Sequence, residues 1–136
     1  MAEMRLTVTH TGKGSSLDCA TPQGPVITFD GDGGPHGASP MQHLLASIGA
    51  CALMDVDVIL RKKRLTFSGL RVECVGARPD EGTPKPFQDV KLLFRVEGDV
   101  PAKAFDDAVR LSVEKYCSVG STVRAGAPIA FEAKVG

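Results

Sequence analysis

The chain has 136 residues, enough for one domain with its own core or for one protomer of an intertwined dimer, and too few for more. Its 16 basic and 16 acidic residues cancel, which argues against a nucleic-acid footprint and makes self-association easier. Tryptophan is absent and aromatics make up only 5% of the chain, so stacking platforms for bases or sugars are not expected.

The first segment alternates, with Leu6, Val8 and His10 against Arg5, Thr7 and Thr9, as a half-buried strand does. It has neither the charged nor the apolar region of a secretory signal, so a cytoplasmic location is expected. Gly12-Lys13-Gly14 then makes a turn, Leu17 to Ala20 a short strand, Pro22-Gln23-Gly24 a second turn and Val26 to Phe29 a third strand. This meander has no helix of its own to pack against, and a partner chain is expected to cover it.

A glycine-rich loop follows. Asp30-Gly31-Asp32-Gly33 faintly resembles a calcium loop, but the twelfth position is Met41, where a bidentate Glu is required. The same glycines lack the Gly-Lys-Ser/Thr of a phosphate-binding loop. Ser39-Pro40-Met41-Gln42 carries helix-start chemistry, with Ser39 as N-cap, Pro40 in the first helical position and Gln42 reaching back to complete a capping box. The helix is expected to run to about Leu60 and to close on Arg61-Lys62-Lys63-Arg64, cations at the negative end of its dipole. Its middle is apolar nearly all round, which predicts burial on several sides. The longest apolar run is about half of the roughly 20 residues of a membrane span, so no membrane association is expected.

Leu70, Val72 and Cys74 alternate with Arg71 and Glu73, Val90, Leu92, Phe94 and Val96 alternate with Lys91, Leu93, Arg95 and Glu97, and a linker holding Gly82, Pro84 and Pro86 joins them as a long hairpin. Pro101 opens a second helix in which Phe105, Val109, Val113 and Cys117 recur every fourth residue, with Ala108 and Tyr116 beside them, so Cys117 falls on the core-facing stripe. Gly120 is the expected stop, and Ile129, Phe131, Ala133 and Val135 are expected to form a last strand. Three strands, helix, two strands, helix and strand describe an α+β fold with segregated sheets, over a single domain of residues 1–136.

The four cysteines and His10, His36 and His43 have no zinc-site spacing, so neither a metal nor another cofactor is expected. Cys19 and Cys74 fall at inward-facing strand positions and read as core, because a buried cysteine behaves as a small hydrophobe. Spacing alone leaves Cys51 either an inert core thiol or a reactive one. Ser47, Cys51 and Asp55 step only about 40° apart around the helix. A carboxylate in that apolar run needs a partner or water, which implies a polar pocket beside Cys51. Asp55 by itself would raise the thiol pKa, so activation of Cys51 requires a cation.

Ser39-Pro40-Met41-Gln42, then Ala46-Ser47-Ile48-Gly49-Ala50-Cys51, and later Glu114-Lys115-Tyr116-Cys117-Ser118-Val119 resemble the two cysteine motifs of the OsmC/Ohr superfamily. The continuation Cys51-Ala52-Leu53-Met54-Asp55-Val56 is most similar to its YhfA-like branch. The resemblance implies an intertwined homodimer with central helices wrapped by two sheets, and a thiol peroxidase acting on organic hydroperoxides in oxidative stress defence. It implies Cys51 as the peroxidatic thiolate, Cys117 as the resolving thiol and an external dithiol as reductant. The peroxidatic members carry a glutamate where this chain has Met41, and an arginine in the glycine turn after the first strand, where the match is Lys13. Lysine supplies charge without the planar fork of arginine. Lys13 is therefore the candidate cation, Asp55 a pocket residue of unassigned role, and the alternatives are a dimer that holds a hydrophobic small molecule in its apolar cleft or a thiol redox sensor.

Overall fold

The computed structural model describes residues 1–31, 33–130 and 132–135. Asp32 of the glycine-rich loop and Phe131 of the expected last strand lie outside these residues. The described elements are α+β, and they group into two compact units, residues 1–46 and 47–136.

In the first unit, β1 (Val8–His10), β2 (Ser16–Ala20) and β3 (Val26–Asp30) form an antiparallel meander in that order. Cys19 pairs with Val8 on one side and Ile27 on the other and is buried, as its inward position predicts. Leu6, expected in the first strand, lies before β1 and is exposed. The helix α1 (Pro40–Lys62) starts where the capping box places it. The Ser39 N–H donates to Gln42 Oε1 at 2.8 Å, and the Gln42 N–H donates to Ser39 Oγ at 3.2 Å. One turn in, His43 Nε2 donates to the Thr28 carbonyl at 2.7 Å, with its ring centroid 4.3 Å from that of Phe29. These contacts dock the helix start on β3.

In the second unit, α1 continues to Lys62, where Arg61 clasps Asp57 one turn back. Leu65 N–H closes a six-residue loop on the Leu60 carbonyl at 3.0 Å, and Arg64 takes the left-handed conformation this helix end requires, with φ 59°. β4 (Gly69–Ala77) and β5 (Asp89–Glu97) form the expected hairpin, with Leu70 opposite Val96, Val72 opposite Phe94 and Cys74 opposite Leu92. Val56 and Leu60 meet Ala108 of α2 (Ala102–Leu111) at the centre of the core, with Phe67, Phe94, Phe105 and Val109 around them.

Burial on α1 follows one stripe, Ile48, Ala52, Val56 and Leu60, rather than the several sides its composition suggests. Met54 and Val58, on the opposite face, are 69% and 48% exposed, because within one chain the hairpin and α2 cover only one side of the helix. The second helical segment also departs from expectation. It does not run on to Gly120: α2 gives way to a π-turn over Ser112–Tyr116, the backbone extends at Cys117, and a further helix, α3 (Ser118–Ala125), begins. Gly120 lies inside α3, and the stop is Gly126 with φ 63°. Tyr116 is exposed, since the wider turn rotates it off the buried stripe. The expected last strand is absent among the described residues, and Ile129 and Val135 are fully exposed. A strand is held by ladder hydrogen bonds, and none is described for residues 127–130 and 132–135.

Candidate functional site

Two thiols of the second unit meet where α1 faces the junction of the π-turn and α3. Cys51 projects from α1, half-buried, one residue before the fully buried Ala52. Cys117 is 4% exposed and serves as the N-cap of α3. Its Sγ accepts the Gly120 N–H at 3.3 Å, and its thiol points to the Ile48 carbonyl at 4.0 Å. The Cys51 and Cys117 thiols stand within hydrogen-bonding reach of each other, and both are free.

The π-turn explains how Cys117 arrives there. Four-residue spacing would continue the stripe from Phe105 through Val109 to Val113 and Cys117. The buried residues are instead Ala108, Ser112 and Cys117, the last two separated by five. The Cys117 N–H donates to the Ser112 carbonyl at 2.9 Å, the i to i+5 bond of a π-turn, and this one extra residue swings Cys117 onto the face of Ser112.

Ser112 is fully buried, and sequence reasoning passed it over. Its Oγ donates to the Ala52 carbonyl at 2.7 Å and lies 3.4 Å from Asp55 Oδ2. Asp55 thus has the polar partner that its place on an apolar helix demanded. The only signal in the sequence was a lone hydroxyl among apolar residues four positions after Ala108. Ser47, aligned with Cys51 and Asp55 by helical phase, is exposed and takes no part.

Burial pushes the Cys117 thiol above the ordinary cysteine range. The Gly120 N–H draws it down, and Cys51 and the Asp55 charge push it up again. At neutral pH Cys117 therefore rests as a protonated thiol. Cys74 behaves likewise, raised chiefly by burial and drawn down in part by the Gly49 backbone N–H.

Cys117 is also among the residues lining a cavity of about 650 Å³ bounded by α1, β5 and the α2–α3 segment, together with apolar side chains such as Ile48, Leu92, Phe94 and Val109. Arg124 is another lining residue, and it donates to the Val113 carbonyl at 3.3 Å. Lys13 belongs to the first unit, exposed in the turn between β1 and β2, with its N–H on Thr11 Oγ1 at 3.2 Å and its carbonyl accepting from Ser16. The second unit therefore brings Cys51, Cys117 and Asp55 together and adds Ser112. Among the described residues, no group of three or more His, Cys, Asp or Glu side chains is arranged to hold a metal ion.

Residues 31–132 match the family described as OsmC-like protein. The chain belongs to that family. It is 39% identical over 97 residues to Protein YhfA of Escherichia coli strain K12, covering 71% of this chain and 72% of that protein. A hypothetical protein from Aquifex aeolicus VF5 superposes with a TM-score of 0.80 at 32% identity, over 93% of this chain and 90% of the other. An organic hydroperoxide resistance protein from Elizabethkingia anophelis shares the fold at a TM-score of 0.64 and 16% identity, over 92% of this chain and 91% of its own. Proteins of the OsmC/Ohr family are commonly dimeric. The apolar α1, long enough to cross a bilayer, is the core helix of this fold, with its Ile48-to-Leu60 stripe buried.

Proposed function

We propose that this OsmC-like protein is a thiol-dependent peroxidase that reduces organic hydroperoxides in the cytoplasm as part of oxidative stress defence. The observation that carries the reading is the pair of free thiols, one half-buried and one buried, facing each other from α1 and the start of α3. In the first step the Cys51 thiolate attacks the terminal peroxide oxygen. The O–O bond breaks, the alcohol leaves with a proton, and Cys51 becomes a sulfenic acid. In the second, the Cys117 sulfur attacks Cys51, a disulfide forms and water leaves. An external dithiol then takes the two oxidising equivalents and restores both thiols.

The division of labour agrees with the electrostatics of the site. Only a thiolate attacks peroxide readily, and burial and the Asp55 charge keep Cys117 protonated until Cys51 has reacted. The apolar cavity favours organic over small polar peroxides. The uncovered apolar residues Met54 and Val58 of α1 support a homodimer in which a second copy covers that face. Lys13 is the cation this reading draws on, and Lys13→Met is expected to slow the first step.

The test is consumption of cumene hydroperoxide with a dithiol reductant. Cys51→Ser is expected to abolish turnover, and activity surviving that substitution sinks the assignment. Mass spectrometry after one equivalent of peroxide is expected to find a Cys51–Cys117 linkage. A second reading is a non-enzymatic dimer that holds a hydrophobic small molecule. It is favoured by one observation, that Cys117 and not Cys51 is among the residues lining the cavity. No peroxide consumption, together with an apolar ligand copurifying in the cavity, would establish it.

A further inference from the structure

The two thiols of the second unit are placed by backbone on both sides. The Cys117 thiol points to the Ile48 carbonyl at 4.0 Å, and in a helix the side chain three residues on, here Cys51, stands beside that same carbonyl. The π-turn is fastened to this stretch of α1 by Ser112, whose hydroxyl donates to the Ala52 carbonyl at 2.7 Å and whose carbonyl accepts the Cys117 N–H at 2.9 Å. Cys51 and Cys117 therefore project into one small space between α1 and the start of α3, and neither is in a disulfide.

That space offers two sulfurs and little else. Ile48, Ala52, Val109 and Val113 line the cavity that adjoins it. Cys74 packs on Gly49, and residues two apart on a helix do not face each other, so Cys74 meets a different side of α1 from the one that carries Cys51. Among the described residues no third His, Cys, Asp or Glu side chain completes a group around the pair. A zinc ion asks for four ligands, and calcium and magnesium ask for oxygen. Two thiolates in apolar surroundings suit instead a soft monovalent ion, copper(I) above all, which takes sulfur ligands and accepts a coordination number of two.

We propose that Cys51 and Cys117 form a metal site that binds one copper(I) ion between their two sulfurs. On binding, both S–H bonds break, two S–Cu bonds form and two protons pass to solvent. Neither sulfur nor copper changes oxidation state. Burial holds the free Cys117 thiol protonated, but a coordinating thiol gives up its proton to the metal, whose charge replaces it.

The assembled centre carries one negative charge, and two groups on α3 answer it. The Gly120 N–H is directed at the Cys117 sulfur from 3.3 Å. Arg124 brings a full positive charge near: the point where a Cβ on Gly120 would stand is 3.3 Å from Cys117 Sγ and 3.6 Å from Arg124 Nη1. Asp55, one turn along α1 from Cys51, is the opposing charge, and it has the Ser112 hydroxyl at 3.4 Å. The site does not rest on the peroxidase reading, because binding needs only the two reduced thiols and no peroxide.

The reduced chain is titrated without oxygen, with copper(I) supplied as its acetonitrile complex and bathocuproine disulfonate as competitor, and native mass spectrometry counts the bound ions. The expected result is one copper per chain, with two sulfur neighbours and no nitrogen or oxygen in X-ray absorption. Because two protons leave, affinity is expected to climb about 100-fold per pH unit below the ordinary thiol range of about 8.5. Cys51→Ser and Cys117→Ser are each expected to weaken binding by more than about 100-fold, since loss of a ligand's outer contact alone costs up to that much. Serine keeps the N-cap of α3 in the second of these. Cys19→Ser and Cys74→Ala are expected to bind as the native chain does. Native affinity in either Cys51→Ser or Cys117→Ser, lost affinity in Cys74→Ala, a rise of only about tenfold per pH unit, or copper held by three or four atoms overturns the site.

Discussion

Gly49, two residues before Cys51, packs against Cys74 and Val72 of β4, and it makes the packing of the site testable. A Cβ built there would run into Cys74 Sγ far inside van der Waals contact. It would also lie 3.3 Å from Val72 Cγ1, and only the Cys74 Cβ, at 3.9 Å, is at an ordinary distance. Gly49→Ala therefore brings two opposed effects. Alanine is favoured over glycine inside a helix by about 1 kcal/mol. Forcing a methyl into a filled core costs up to about 3 kcal/mol, and a clash with a short side chain backed by Val72 belongs at that end of the range. The net expectation is a loss of about 2 kcal/mol, read from urea denaturation with reductant present.

A double-mutant cycle isolates the cause. Cys74→Ala removes the sulfur at a cost of about 1 kcal/mol. In that background the Gly49→Ala methyl has room, and the substitution is expected to stabilise by about 1 kcal/mol through helix propensity alone. The coupling between the two positions is then about 3 kcal/mol, at the top of what contacting residues show. Gly49→Ala as stable as the native chain, or a coupling below about 0.5 kcal/mol, would refute the close approach of α1 to β4.

Other consequences follow from particular residues. Arg64 holds φ 59° at the end of α1, where glycine is the unstrained choice, so Arg64→Gly is expected to raise stability by about 1 kcal/mol; no gain in the urea midpoint would count against strain there. Ser39→Ala removes the acceptor for the Gln42 N–H and is expected to cost about 1 kcal/mol, and a Ser39→Ala/Gln42→Ala double variant is expected to lose little more, because the two bonds are reciprocal; additive losses in urea denaturation would contradict this. The Cys74 and Cys117 thiols are raised in the folded chain. Their contribution to stability is whole below the unfolded thiol value of about 8.5 and is lost as pH rises from there through the folded values. The melting temperature under reducing conditions is thus expected to be flat to about pH 8.5 and to fall above it, less steeply in Cys74→Ala; parallel curves for the two proteins would contradict this.

What could be read in the sequence was whatever local chemistry decides. The capping box depends on four consecutive residues and appears with both of its bonds. The β4–β5 hairpin depends on alternation, and the register pairs the residues whose side chains face the same way. Cys51, Cys117 and Asp55 were placed by motif and helical phase, and they come together. The rest depends on partners distant in the chain. A strand at Ile129 to Val135 has the right alternation, but alternation supplies no ladder partner. Likewise the apolar girth of α1 describes how much surface could be buried, not how much one chain has available to bury it.

The π-turn is the clearest case of a feature that a fixed period conceals, and it bears on function. With a strict four-residue spacing, Val113 would precede Cys117 on the buried face and Ser112 would turn aside, leaving Asp55 on an apolar surface with no hydroxyl opposite. The inserted residue exchanges Val113 for Ser112 on that face and keeps Cys117 there as well. An i to i+5 turn gives up regular helical bonding, and it recurs where a side chain must be aimed. Here the turn aims two side chains at α1, the hydroxyl at the Ala52 carbonyl and Asp55 and the thiol at the Ile48 carbonyl. A segment that served packing alone would have no use for the departure, since Val113 would fill the same space with more apolar area. Its presence at the meeting point of the two cysteines is in keeping with the redox role proposed for the pair.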